Sequence, residues 1–303
     1  MGAFRALARR ALLAGAGALA ARVTLGAVSR SSRATQLERL NHRGQTVTLA
    51  SGPAMAVAAA TTAALGAAAW RSTTTDPAGS PRPLGLPIAA AAAVAGLGSG
   101  AVGLYDDVVG SRPEQKSAKG FRGHLAALRR GQITTGLVKI VGIGASGALA
   151  AAALASRPRP GQRGGLAATV TDVVIDTGLI AGSANLINLL DLRPGRALKA
   201  GLAVGVPLTL GPAGALAAGP VGAAAGLLPD DLGERTMLGD AGANAFGALL
   251  GLATAATLPR PARLAVLAGI VGLTLASEKV SFTAVIESHP VLRRLDEWGR
   301  VRR

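Results

Sequence analysis

The chain has no cysteine, which excludes disulfides, thiolate catalysis and cysteine-held metal sites. Histidine is scarce, and His42, His124 and His289 are too scattered to form a zinc-binding motif. Charge is also scarce: 16% of the 303 residues are charged, against about 25% in a soluble domain. Ala, Gly, Leu and Val fill the chain instead. They form apolar runs of about 20 residues, the length a helix needs to cross a bilayer. Small residues let such helices approach closely. The composition therefore predicts an all-α fold, a tightly packed polytopic membrane bundle. Residues 1–303 form one integral-membrane domain, with a short basic tail at 287–303.

The net charge of +16 is the kind of value that suggests nucleic-acid binding. Here the basic residues lie between the apolar runs. Loop bias and attraction to anionic lipid or phosphate account for them, and no nucleic-acid partner is expected.

The runs predict nine spans, at about 11–29, 46–70, 84–105, 133–155, 167–189, 197–212, 214–228, 241–258 and 263–286. Residues 197–228 can be read as two short helices hinged near Gly211-Pro212 or as one long helix. Only two helices put Asp191 and Asp240 on the same side. The first run resembles a signal sequence after Arg9-Arg10, but further spans follow it directly and it reads as an anchor. One set of loops, 30–45, 106–132, 190–199, 229–240 and the tail, holds 19 Lys and Arg, and the other set holds 10. The richer side is expected to be cytoplasmic, which places the N-terminus outside and the C-terminus inside a cell membrane. Trp70 and Tyr105 fall at expected interfaces. Within the charged loop 106–132, Phe121–Arg130 reads as an amphipathic surface helix or as a solvated basic loop.

Two glycine patterns, Gly98–Gly103 and Gly142–Gly147, spell a dinucleotide-binding signature. Both lie inside apolar spans and neither follows a strand, so they are read as close helix packing.

The carboxylates stand out more. Asp106-Asp107 end a long apolar run, and ionisable groups at the edge of a span point to function. Asn185, Asn188 and Asp191, spaced by three, end another and drift over about 120° of helix surface, facing one cavity. Gly239-Asp240-Ala241-Gly242 opens a third, and its glycines allow close backbone approach to a ligand. Taken singly, each is also explained as a helix-end residue, with Asp240 a good N-cap. Their shared side suggests one assembled polar site. Magnesium, with manganese as its substitute, prefers oxygen ligands and uses one or two carboxylates with substrate phosphates and water. Asp106, Asp107, Asp191 and Asp240 are the candidates.

Asp106-Asp107, Asn185-x-x-Asn188-x-x-Asp191 and Met237-Leu-Gly-Asp-Ala-Gly-Ala-Asn244 resemble, in order and spacing, three signatures of the polyprenyl-phosphate N-acetylhexosamine-1-phosphate transferases. That family includes phospho-MurNAc-pentapeptide transferase and the GlcNAc-1-phosphate transferases of O-antigen and teichoic-acid synthesis. The resemblance covers about residues 40–286. Asn41-His-Arg-Gly44 through Ser51-Gly52-Pro53 resembles the first cytoplasmic loop of the family more weakly. Two features depart from it. Leu192 stands where the family has glycine, with Arg193 and Arg196 nearby, and the late histidine-rich loop is missing, with only His289 in a comparable region.

The resemblance implies transfer of a sugar 1-phosphate from a UDP-sugar to polyprenyl (undecaprenyl) phosphate in cell-envelope glycan synthesis, with release of UMP. Asp240 is then the principal magnesium ligand, with Asp107 and Asp191 as further ligands. Asp106 or Asp107 orients or deprotonates the lipid phosphate. Asn185, Asn188 and Asp191 position the nucleotide, Lys139, Lys116 or Arg196 neutralises phosphate charge, and His289 is a further substrate-binding candidate. The expected partners are the lipid phosphate, the UDP-sugar and membrane lipid, and a homodimer stays open. Two rival readings remain: a weakened relative that binds polyprenyl phosphate without turnover, and a transporter.

Overall fold

In the computed structural model of the chain, residues 2–41, 43–68, 71–75, 81–83, 85–110, 129, 131, 134–155 and 165–301 are described. Helices dominate. In chain order they are α1 (Gly2–Ser29), α2 (Ser51–Ala68), α3 (Gly85–Gly110), α4 (Thr135–Ala155), α5 (Leu166–Leu190), α6 (Arg196–Leu210), α7 (Gly214–Leu232), α8 (Gly239–Thr257), α9 (Arg260–Ser277), α10 (Phe282–Ser288) and α11 (Pro290–Glu297). Five of them, α1, α3, α4, α5 and α9, are long and apolar enough to cross a membrane. A helix occupies each of the nine stretches predicted from the apolar runs.

The differences have local causes. Residues 197–228 are two helices, broken at Gly211 after α6, where the backbone turns extended. The second predicted stretch begins with a strand rather than a helix. β1 (Glu38–Leu40) and β2 (Thr46–Thr48) pair antiparallel, with Glu38 opposite Thr48. In the turn between them, the Asn41 side chain accepts the amides of Arg43 and Gln45 at 2.8 and 3.0 Å. A second hairpin pairs β3 (Arg71–Thr75) with β4 (Pro81–Pro83). The ninth stretch is interrupted between α9 and α10, and the Ser281 hydroxyl caps α10 by accepting the Ala284 amide.

α8 is the axis of the bundle. Residues 241–256 are all buried, as expected for a helix that is apolar all round. It packs against α2, α3, α5, α6 and α7. Leu238, Phe246, Leu249 and Leu252 are each no more than 1% exposed and anchor it in the main apolar core. The segment before α8 is strapped to the first hairpin. The Met237 amide donates to the Thr48 carbonyl at 2.9 Å, and Ser51 Oγ donates to the Met237 carbonyl at 2.5 Å. Position 240 is therefore held by both its own helix and the start of α2.

A buried ion network ties α5 to α9. Arg263 is 1% exposed. It pairs with Asp172 at 2.7 Å and with Asp176, while Arg260 meets Asp172 at 2.9 Å. Two cations match two anions, which is how charge persists in an apolar interior.

Candidate active site

The end of α3, the end of α5 and the starts of α4 and α8 come together at one end of the bundle, and each carries a polar residue to the junction. Asp106 and Asp107 lie in a widened π-helical turn, Asp106–Gly110, that finishes α3. Neighbouring residues on a helix point about 100° apart, and these two carboxylates serve different partners.

Asp107 reaches across to α8. Its carboxylate accepts the Asp240 amide at 3.1 Å and the Ala241 amide at 2.9 Å. The N-cap residue of α8 is Leu238, which offers no side-chain acceptor. Asp107 thus supplies the cap from another helix. The capping role considered for Asp240 belongs to Asp107. Gly239, at φ 64°, makes the left-handed turn that aims these amides, and a Cβ there would stand 3.1 Å from the Asp107 carboxylate. Gly242 faces Gly52 and the Leu238 side chain, so it serves helix packing and not approach to a ligand.

Asp106 turns to α4. Lys139 Nζ lies 3.4 Å from Asp106 Oδ2 and also pairs with Asp240. Thr135, one turn earlier on α4, adds a hydrogen bond to Asp106. Asn188 completes the cluster once its amide is oriented by its neighbours. Its nitrogen donates to Asp240 Oδ1 at 2.7 Å, and its oxygen accepts from Lys139 Nζ at 2.8 Å. The side chains of Lys139, Asp106 and Asp240 are 17%, 19% and 25% exposed, so the cluster remains open to a ligand.

Asp191 stands one residue beyond α5. Desolvation pushes its carboxyl well above the ordinary range, and the Asp231 charge pushes it further. The Gly239 amide opposes the rise, while Asp240 and Asp107 add to it. Asp191 is therefore within electrostatic reach of the cluster. It also lines a shallow cleft shared with Asn41, Arg193, Asp231, Glu234 and Thr236. Glu234 has a positive φ of 54°, uncommon for a residue with a side chain. Its Oε2 accepts from Asn41 at 3.0 Å, and Oε1 lies 3.4 Å from Arg43 without hydrogen-bonding geometry. Among the described residues, Thr236 Oγ1 is also buried without a partner.

Other expected site residues lie elsewhere. Asn185 turns to α9 and donates to Thr274 Oγ1 at 3.5 Å. Arg196 does not face the cluster. It is 4% exposed and grips Asp296 through Nε at 2.8 Å and Nη2 at 2.9 Å, with Thr283 at 2.8 Å from Nη1. Three of its five N–H donors are taken by Asp296 and Thr283, so this buried guanidinium is committed to the tail and not to a phosphate. His289 is exposed, its ring engaged with the Val285 carbonyl at 3.0 Å and Ser288 at 3.1 Å. Lys116 lies outside the described residues, as does the stretch 121–130 apart from Arg129. Trp70 also lies outside them.

The expected metal trio of Asp107, Asp191 and Asp240 is not assembled. Among the described residues, no three His, Cys, Asp or Glu side chains group closely enough to hold a metal ion. Asp107 is occupied with backbone amides. The oxygen set that converges is Asp106, Asp240 and the Asn188 amide, around the Lys139 ammonium. Two carboxylates around a cation match the donor set of magnesium, which takes its remaining ligands from water and substrate phosphate.

Two residues that the sequence reading passed over help build the site. Thr135 supports Asp106, and Asp231 accepts the Gly195 amide at 2.6 Å, fixing the loop that carries Asp191. A Pro-Asp-Asp run closing an apolar helix was the available signal for Asp231. No protein-family model matches the chain, and no curated protein matches it.

Proposed function

We propose that the chain is a membrane transferase. It moves a sugar 1-phosphate from a UDP-sugar to polyprenyl phosphate, working at the cytoplasmic end of a nine-span bundle and releasing UMP. The observation that carries this reading is the convergence of Asp106, Lys139, Asn188 and Asp240. They come from four helices and meet at one partly open point beside a polar cleft.

The reaction joins two anions. A phosphate oxygen of the lipid attacks the sugar-bearing phosphorus, one P–O bond forms, and the diphosphate P–O bond breaks to leave UMP. Cations must offset the repulsion. Lys139, held between Asp106 and Asp240, is placed to turn toward an incoming phosphate. Asp106 is the carboxylate available to orient or deprotonate the lipid phosphate, since Asp107 is committed to the α8 amides. Asp107 instead positions Asp240. Asn188 fixes the Asp240 carboxylate. The cleft beside Asp191 holds the nucleotide, with Asn41, Glu234 and Thr236 as polar contacts. Asp240 and Asp106 would hold magnesium, which when bound supplies the positive charge that screens the diphosphate.

One observation favours a second reading. Leu192 is 58% exposed and lines the cleft where the resembled family has glycine. A bulky side chain there would suit a relative that binds polyprenyl phosphate but no longer turns over the usual nucleotide sugars.

The test is to incubate purified protein with magnesium, undecaprenyl phosphate and a panel of UDP-sugars, and to assay UMP. Release that needs both lipid phosphate and one sugar nucleotide supports the transferase. Binding of the lipid phosphate with no UMP from any sugar nucleotide supports the second reading.

A further inference from the structure

We infer that the C-terminal hairpin, α10 and α11, is an interfacial anchor. It lies on an anionic bilayer surface and holds the loop 191–196 from that surface. The inference does not depend on the reaction proposed above. It needs only that α9 crosses the membrane.

Distance comes first. α9 is long and apolar enough to span, and it ends at Ser277, while α10 begins at Phe282. Five steps of extended chain cover at most about 18 Å, so the hairpin cannot leave the level of the membrane surface.

The second argument is the division of α11 into sectors. At about 100° per residue, Val291, Leu292 and Leu295 share one face, continued by Trp298 at the helix end. They are 68%, 42%, 59% and 75% exposed. This is a contiguous apolar strip with an indole, left uncovered by the other described residues. Arg294 flanks it. Arg293 and Glu297 take the far face. Asp296 points inward and is buried against Arg196 and Arg300. With Asp296 neutralised, arginine dominates what the helix shows to the outside. An apolar face with Trp and Leu beside arginine is the pattern of a helix lying in the headgroup region, buried about 5–10 Å deep.

The third argument is the fastening. Lys199 Nζ donates to the carbonyls of Leu295 at 2.8 Å, Asp296 at 2.5 Å and Trp298 at 3.1 Å, at the end of α11 where a cation is favoured. Arg300 donates to the Pro194 carbonyl at 2.8 Å, and Arg193 meets Glu287 at 3.5 Å. The hairpin therefore grips the loop between α5 and α6, the loop that carries Asp191.

The experiment uses the full chain with Trp70→Phe, which leaves Trp298 as its one tryptophan. It is reconstituted into vesicles of phosphatidylcholine and phosphatidylglycerol in equal parts, with bromines on the acyl carbons nearest the headgroup. Trp298 emission is expected to fall by about half or more relative to unbrominated vesicles, while aqueous iodide has little effect. Adding Arg293→Gln and Arg294→Gln, or omitting phosphatidylglycerol, is expected to weaken the bromolipid quenching, because the strip then sits less deeply in the headgroup region. Trp298 quenched by iodide and untouched by bromolipid overturns the inference. Protection from both quenchers also overturns it, since a second copy of the chain would then cover the strip. Bromolipid quenching that ignores both phosphatidylglycerol and the arginines overturns its anionic part.

Discussion

Asp107 caps the helix that carries Asp240, accepting the Asp240 amide at 3.1 Å and the Ala241 amide at 2.9 Å from a different helix. One carboxylate of the adjacent pair thus builds the site, and the other faces it. A cap of this kind contributes about 0.5–2 kcal/mol. Asp107→Ala should lower stability by that order and displace Asp240, reducing activity as well. Asp107→Asn, which keeps an acceptor, should recover part of the loss. Thermal unfolding in detergent measures the difference, and an Asp107→Ala protein as stable as the original would remove Asp107 from this role.

Close packing of α3 on α8 gives a second prediction. A Cβ on Gly103 would stand 2.3 Å from the Asp240 carbonyl oxygen, whereas one on Gly144 would meet nothing within 4 Å. Gly103→Ala should cost about 1–3 kcal/mol by forcing the helices apart. Gly144→Ala should be neutral or slightly stabilising. The same melting experiment tests both, and equal melting temperatures would contradict the packing.

The α5–α9 network gives a third. Arg263→Met leaves Asp176 and Asp172 buried with too little compensating charge, at a cost of about 3–5 kcal/mol. Replacing Arg263 and Asp176 together by Met and Leu should cost much less, because no stranded charge is left. A double variant no better than the single one would show that packing, not charge balance, holds the pair.

Acid should loosen the tail. Burial raises the Asp296 pKa, but the Arg196 hydrogen bond and the charges of Arg300 and Arg196 outweigh it and hold it below its ordinary value of 3.8. A carboxylate more acidic when folded stabilises the fold above that ordinary value and loses this contribution as pH falls through the lower folded value. Protease cleavage within 278–301 should therefore rise steeply in that acid range. Asp296→Asn should abolish the transition and leave the tail susceptible at neutral pH.

Apolar run length located the helices well because that signal is local. The three acidic stretches were also legible, since each interrupts an apolar run at its end. Pairing was not. Nothing near Arg196 in sequence indicates Asp296, 100 residues away, and the guanidinium read as a phosphate ligand because its partner was invisible. Arg260 and Arg263 read as outer-loop charges for the same reason. Their spacing of three, set against Asp172 and Asp176 spaced by four, was the one local trace of the network. Asp106 and Asp107 looked like a pair acting together, and only the direction each side chain takes from the π-helical turn separates a cap from a site carboxylate.

Asp240→Asn tests the central claim most directly. The substitution keeps size and one of the two acceptor oxygens but removes the charge, and α8 retains its cap because Asp107 provides it. Magnesium-dependent UMP release from the UDP-sugar and undecaprenyl phosphate should fall by about 100-fold or more, with the melting temperature close to that of the original protein. A well-folded Asp240→Asn protein that releases UMP at a near-normal rate would contradict the assignment.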